Sequence, residues 1–344
     1  MNRSLTLFAL LGLGVAAAQS TSTPLTLAAA VTRALEAGPD VSTARANLQK
    51  AQATQTATQA DPTSLVTERL SATQGLQSAQ LNVQSARLNV MSSVVSSYAS
   101  ASELALQVEL NTAQVALNTR SLQIAQARQR AGTATTLDVT KAQNTLNQSQ
   151  QDLANARAQQ QVAQAQLARV LALSGPLRLT VLPAPPALNT SLATLQQGLD
   201  TRLGSLLQAS QAVQSAQLQV QVSDNDYTPA RTLQDARTLL ANAQRTLSDA
   251  QKGAQTSLQD AWRTASDAQK RLTLARASLG TAQTSLAQTQ SRLKAGTAAA
   301  VDVQQAQVSV QQAQLQLQQA QDNVWKGLAS LSVAAGQDLT GLIR

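Results

Sequence analysis

Large apolar residues recur every seven positions along two stretches of the chain. In the first stretch this position holds Val139, Leu146, Leu153 and Leu167, with Gln160 as the exception; in the second it holds Val303, Val310, Leu317, Val324 and Leu331. Small residues, mostly alanine, stand three positions later in both stretches. A sustained apolar heptad is typical of helices that supercoil around one another. The pattern therefore predicts long coiled-coil helices in both stretches.

A short sequence at the start of each stretch is nearly duplicated. It is RQRAGTATTLDV at residues 128–139 and RLKAGTAAAVDV at residues 292–303. Gly132 and Gly296 are 164 residues apart, and the same separation relates the first heptad valine of each stretch. A shared phase over several heptads indicates an internal duplication. Leucine or isoleucine residues at seven-residue spacing also lead into each glycine, so each half should contain a long antiparallel helical hairpin.

The glycine segments have the composition of hairpin turns. Gly132 and Gly296 follow the last periodic residue of an incoming helix, where a left-handed residue commonly ends it. Asp138 and Asp302 lie near the start of the returning helix, where a carboxylate caps or complements exposed N–H groups. Physical chemistry favours turn formation for these residues, and binding of a partner is the alternative interpretation.

The composition argues against an enzyme. The chain has no histidine and no cysteine, so it lacks the side chain that titrates near neutrality and the commonest soft metal ligands. Its 18 acidic residues are scattered, and no nucleotide-binding motif is present. We therefore predict no catalytic residues, no metal and no cofactor. Aromatic residues make up only 1% of the chain, and the isolated Trp262 and Trp325 are interpreted as packing residues.

The first 18 residues have the layout of a secretory signal peptide. Arg3 precedes an apolar run from Leu5 to Val15, and the three alanines that follow suit cleavage. An uncleaved membrane anchor is the alternative, although the run is short for a span. In a cytoplasmic protein the net charge of +8 would favour binding to nucleic acid, and export argues against that interpretation. The excess basic charge is then either solvated on helix surfaces or directed at an acidic envelope partner.

A proline-rich segment divides the remaining sequence. Residues 174–196 contain several prolines, which exclude a continuous helix, and Leu177–Leu182 is the part that suits a short strand. We interpret this segment as a connector. It separates a first helical-hairpin repeat over residues 19–173 from a second repeat over residues 197–344.

The duplicated tips, together with LTLAAAVTRALEAGPDV at residues 25–41, resemble the TolC-like outer-membrane efflux proteins. The resemblance implies a homotrimer that builds a helical tunnel across the periplasm, in an efflux or type I secretion conduit. It places the chain in the periplasm or at the outer membrane of a two-membrane bacterium, with a periplasmic adaptor and an inner-membrane pump as partners. By the same resemblance, the adaptor-facing tips are Gly132, Thr133, Gly296 and Thr297, and the tunnel entrance carries Asp138 and Asp302.

The chain departs from this family where its members have strands that cross the outer membrane. Residues 54–75 allow at most one strand, around Leu65–Leu70, and residues 223–240 run almost directly into a helical pattern. Spanning strands need about 9–11 residues of alternating polarity and flanking aromatic girdles. We therefore expect an all-α protein with two duplicated coiled-coil halves and little or no β-barrel, and leave association with the outer membrane open. An envelope spacer or tether that conducts nothing is the alternative function.

Overall fold

The computed structural model describes residues 24–173 and 177–343, so the predicted signal peptide lies outside the described residues. Helices account for most of these ranges, and the described β-pairing is one isolated bridge. The predicted all-α fold class is confirmed. The helices are α1 (Leu27–Ala37), α2 (Pro39–Ala60), α3 (Val66–Arg130), α4 (Thr136–Val170), α5 (Leu192–Gln196), α6 (Leu199–Arg202), α7 (Gly204–Ser223), α8 (Ala230–Lys294) and α9 (Ala300–Ala335).

The two halves of the chain contain matching helices. α3 and α8 each have 65 residues, while α2 and α4 have 22 and 35 residues against 20 and 36 in α7 and α9. Val66 and Ala230 begin the long helices, and Arg130 and Lys294 end them. Each pair has the same separation as the two tip glycines. The duplicated hairpins that the heptad phase predicts are therefore present.

Each half is built along its long helix. At 1.5 Å per residue, a helix of this length extends about 97 Å. α2 and α4 both pack along α3, and a cavity lined by Gly38, Asn89 and Val170 marks where α2 begins and α4 ends beside the middle of α3. α7 and α9 pack along α8 in the same way. α9 also packs against α3, so the four arms near the tips lie in the order α4, α3, α9, α8.

The strand considered around Leu65–Leu70 is wrong, because α3 begins at Val66. The carboxylate of Glu68 accepts a hydrogen bond from the N–H of Leu65 at 2.9 Å, which caps the first turn. Arg69 donates through Nη2 to the carbonyl oxygen of Asp61 at 3.0 Å and holds the preceding turn. Throughout residues 24–173 and 177–343, no helix is both long and apolar enough to cross a bilayer.

Apolar burial is concentrated midway along the long helices, where the short helices pack. In the first half, Val31 of α1 and Leu167 of α4 pack with Tyr98 of α3 in one buried cluster. In the second half, α5, α6 and α7 pack on α8 and α9, and Leu258 and Leu328 are fully buried there. Beyond these clusters the hairpin arms bury fewer apolar residues.

The predicted heptad seam is buried in both returning helices. In α4 every buried residue belongs to one of the two predicted seam positions; these are Leu146, Ser149, Ala156, Ala163 and Leu167. In α9 the seam residues Val310, Ala313, Ala320, Val324, Gly327 and Leu331 are buried, but residues outside the seam are buried as well. α9 is therefore covered on two sides, by α8 and by α3.

The strand predicted at Leu177–Leu182 is reduced to a single parallel bridge. The N–H of Leu25 donates to the carbonyl oxygen of Arg178 at 2.8 Å, and the N–H of Thr180 donates back to Leu25 at 3.1 Å. The buried hydroxyl of Tyr98 lies 2.7 Å from the carbonyl oxygen of Leu25 and 2.8 Å from that of Thr180. The pairing ends there because α1 begins at Leu27, so the segment that contains Leu25 does not continue as a strand.

Both tryptophans attach the connector to the helices. Trp325 is buried and donates through Nε1 to the carbonyl oxygen of Pro183 at 3.0 Å. Trp262 donates in the same way to the carbonyl oxygen of Thr190 at 3.2 Å. They are packing residues, as the sequence predicts, and their indole N–H groups also satisfy connector carbonyls that no helix or sheet would satisfy.

Candidate functional site: the two hairpin tips

The first hairpin turns through a Schellman motif. Gly132 adopts a φ of +73°, and its N–H donates to the carbonyl oxygen of Gln129 at 2.9 Å. The N–H of Thr133 donates to the carbonyl oxygen of Arg128 at 2.9 Å, and the Thr133 hydroxyl donates to the same oxygen at 3.1 Å. These bonds satisfy carbonyl groups that the end of α3 leaves free. Glycine is favoured at this position because most other residues disfavour positive φ.

The second hairpin repeats this turn bond for bond. Gly296 has a φ of +75° and donates to the carbonyl oxygen of Leu293 at 3.0 Å. The N–H and the hydroxyl of Thr297 donate to the carbonyl oxygen of Arg292 at 2.9 Å and 3.1 Å. The duplication in the sequence therefore extends to the hydrogen bonds of the tips.

Each returning helix begins with a capping aspartate. Asp138 Oδ2 accepts from the N–H of Thr135 at 2.9 Å and from its hydroxyl at 2.8 Å, while Thr135 Oγ1 accepts from the N–H of Asp138 at 3.2 Å. The N–H of Thr135, and then its hydroxyl, hold the pKa of Asp138 below its usual value. In the second tip Ala299 replaces the threonine, and its N–H donates to Asp302 Oδ2 at 2.8 Å. The first tip therefore has the more extensive cap.

Both tips present basic and apolar side chains to solvent. An exposed leucine lies at each tip, Leu137 in the first and Leu293 in the second. The ion pairs within the described residues lie elsewhere, along α8 and in the turn before it. Four exposed basic residues stand at the ends of the incoming helices, where the helix dipole favours positive charge: Arg128, Arg130, Arg292 and Lys294.

A cavity of about 540 Å³ lies beside the first tip. Its lining includes Arg128 from α3, Thr133 and Asp138 from the turn and the start of α4, and Val301 from the second hairpin. Because Val301 follows the second turn by only a few residues, the two tips lie side by side at one end of the molecule. Of the six predicted site residues, only Thr133 and Asp138 line this cavity.

The structure gives each predicted site residue a local role. Two glycines turn the chain, two threonines close the turns and two aspartates cap the returning helices. Contact with an adaptor and a position at a tunnel entrance stay predictions for these residues. They are Gly132, Thr133, Gly296, Thr297, Asp138 and Asp302.

Sequence reasoning missed Asp322, a buried carboxyl group on α9. Its position in the heptad is one that normally faces solvent, two residues before the large seam position. The signal that could have found it is a second row of apolar residues in α9 at the same seven-residue spacing, formed by Val308, Leu315 and Ala329.

Residues 64–173 match the sequence profile of a family described as outer membrane efflux protein. This segment contains α3, the first tip and α4. A comparison with curated protein sequences gives no significant match.

Solved structures of outer membrane proteins share the fold. VceC from Vibrio cholerae has a TM-score of 0.64 at 16% identity, over 90% of this chain and 96% of its own. The CmeC outer membrane channel from Campylobacter jejuni has a TM-score of 0.65 at 12% identity, over 90% of this chain and 85% of its own. The MtrE outer membrane channel from Neisseria gonorrhoeae, in its open state, has a TM-score of 0.59 at 15% identity, over 91% and 89%.

These findings confirm the resemblance to the TolC-like outer membrane efflux proteins. The sequence of residues 64–173 carries the family's pattern, and the helical fold is shared over about nine-tenths of the chain. At identities of 12–16% the structural likeness shows the fold alone.

Proposed function

We propose that this protein is a component of an export conduit across the periplasm of a two-membrane bacterium, in efflux or type I secretion. Three copies would form a helical tunnel whose tips contact a periplasmic adaptor, which in turn works with an inner-membrane pump. The chain would be exported and would act in the periplasm or at the outer membrane. Its own part would be passive conduction, with energy supplied by its partners.

The observation that carries this proposal is the pair of identical Schellman turns at one end of the molecule. Each turn is exposed, and each has an adjacent leucine and two basic residues. The packing of α9 on α3 places the two turns side by side. A surface that is duplicated and held in this way suits a partner that docks on both tips at once. Asp138 and Asp302 would then lie close to the tunnel entrance.

The four helices near the tips lie in the order α4, α3, α9, α8, and the two outer helices support assembly with further copies. Both α4 and α8 leave large apolar side chains in solvent. Val162 on α4 is 57% exposed, and Leu274 on α8 is 69% exposed. Contact between α4 of one copy and α8 of the next would cover such residues, and repetition around an axis would close a tube.

A double substitution, Gly132→Val with Gly296→Val, tests the role of the tips. Space is not the obstacle, because a Cβ added at either glycine meets nothing within 4 Å. A non-glycine residue at positive φ costs about 1–3 kcal/mol, however, so valine should distort both turns. We expect loss of dye efflux or protein secretion in cells that depend on this protein, with the amount of exported protein and its oligomeric mass unchanged.

The matched control is Gly132→Asn with Gly296→Asn, because asparagine tolerates the left-handed conformation better than valine does. This variant should retain most of the transport. Unchanged transport in the valine variant would refute the conduit and favour the envelope tether, which does not depend on its tips. Native mass measurement with negative-stain imaging tests the assembly separately, and a solid rod of another stoichiometry would refute the trimeric tunnel.

A further inference from the structure

α9 has a second row of buried residues that its seam with α8 does not explain. The row recurs every seven residues and is buried throughout: Val308, Leu315, Asp322 and Ala329. The equivalent residues of α4, 164 positions earlier, are all exposed: Asn144, Gln151, Ala158 and Ala165. α9 packs against α3 as well as α8, and Ala329 belongs to the buried cluster that contains Tyr98 of α3. The second row therefore lies between the two halves of the molecule.

Asp322 is the one ionisable member of this row. It is 1% exposed, its Oδ1 accepts a hydrogen bond from Gln318 Nε2 at 2.7 Å, and its Oδ2 has no hydrogen-bond partner among residues 24–173 and 177–343. A carboxylate in this position gives up its hydration without full replacement. Burial accordingly raises the pKa of Asp322 to about 7, against the lowering effects of Gln318 and Lys326.

The charged groups around Asp322 come from three helices. Glu103 of α3 raises the pKa of Asp322 further, and it is held beside α9 because its Oε1 accepts from Gln319 Nε2 at 2.7 Å. On α9 itself, Lys326 is one turn away, but the two side chains form no ion pair within the described structure. From α8, Asp267 and Arg271 line a groove with Lys326 that does not include Asp322. The charge that faces Asp322 across the interface between the halves is therefore negative.

We propose that Asp322 is a proton-dependent latch between the two hairpins. When the carboxyl group is neutral, α9 stays packed on α3. When it ionises, an incompletely solvated charge stands in the apolar row beside Glu103, and the contact loosens. The proposal concerns packing inside one chain, so it goes beyond the proposed transport function and does not depend on it.

The position of the latch determines what its release would do. Asp322 lies twenty residues along α9 from Asp302 at the second tip, which is about 30 Å at the rise of an α-helix. The buried cluster around Tyr98, which includes Trp325 and Ala329 of α9, holds the halves together on the other side of it. Ionisation would therefore let the tip ends of the hairpins separate while the middle of the molecule stays assembled.

A distance measurement between the hairpins tests the latch. The chain has no cysteine, so spin labels can be attached at Gln126→Cys on α3 and Gln290→Cys on α8, both exposed near the tips. The labelled full-length protein, diluted with unlabelled protein, is measured by pulsed electron paramagnetic resonance at pH 5.5 and pH 8.5. We expect a narrow distance distribution at pH 5.5 and a broader one, shifted to longer distances, at pH 8.5.

Three variants in the labelled background decide the cause. Asp322→Asn is neutral at every pH and should keep the narrow distribution at both. Asp152→Asn is the matched control, because exposed Asp152 accepts the same kind of bond from Gln148 one turn earlier, at 2.9 Å, and this variant should respond like the wild type. Glu103→Gln removes the facing charge and should move the transition to lower pH. An unchanged wild-type distribution, or a pH response that survives in Asp322→Asn, would overturn the latch.

Discussion

Replacing Asp322 by asparagine should change how the stability of the protein depends on pH. The folded-state pKa of about 7 lies above the ordinary value of 3.8, so between these values the folded state binds more protons than the unfolded state. The free energy of unfolding of the wild type therefore falls as pH rises through this window. The pKa difference corresponds to about 4 kcal/mol, lost completely once the pH passes the folded value. Asparagine does not ionise, so the variant should avoid this loss.

Urea unfolding of the full-length wild type and Asp322→Asn at pH 4, 5.5, 7 and 8.5 measures the effect. The advantage of the variant should grow by about 1.4 kcal/mol per pH unit up to pH 7 and then level off. An amide nitrogen in place of Oδ2, which has no partner within the described part of the chain, adds a cost of about 1–3 kcal/mol, but this offset is the same at every pH. Asp152→Asn should show no such trend. A difference between Asp322→Asn and wild type that is constant from pH 4 to 8.5 would refute the reasoning.

Two further substitutions test the packing. Trp325→Phe should lower the free energy of unfolding by about 2 kcal/mol in urea titrations, because the carbonyl oxygen of Pro183 loses its donor; an unchanged midpoint would mean that the bond does not hold the connector. Gly327→Ala should cost about 1–3 kcal/mol, since its new Cβ would lie 3.1 Å from the Cα of Ala265. The control Gly280→Ala meets nothing within 4 Å and should instead stabilise by about 0.5–1 kcal/mol in the same titrations.

The tips were predictable because short-range rules govern them. A glycine at the end of a periodic helix and an aspartate six residues later indicate a left-handed turn followed by a capped helix. Both turns have these bonds in the structure. The difference between the caps was also visible in the sequence, as Thr135 against Ala299. The adjacency of the tips, seen in the cavity that Val301 shares with the first turn, was not, because it depends on how the halves pack.

The start of α3 shows where a local pattern misleads. Residues around Leu65 have the composition of a turn followed by a short mixed segment, which allows either a strand or a helix. The helix is favoured because Glu68 caps its first turn and Arg69 bonds back to the loop. In the connector, by contrast, the prolines correctly excluded a continuous helix, since α5 begins only after the last of them. Only the structure shows that Trp325 and Trp262 hold the connector in place.

The sequence alone determined the two hairpins, their phase and their turns, because heptads and caps act between residues close together in the chain or on paired arms. It did not determine which arms from different halves meet. α4 and α9 have the same seam. α9, however, is covered on a second side because it packs against α3 as well as α8, whereas α4 has no such second cover in the described structure. That single difference in packing buries Asp322, whereas its α4 counterpart Ala158 stays in solvent. Burial depends on which helices pack together, and only the tertiary structure shows that.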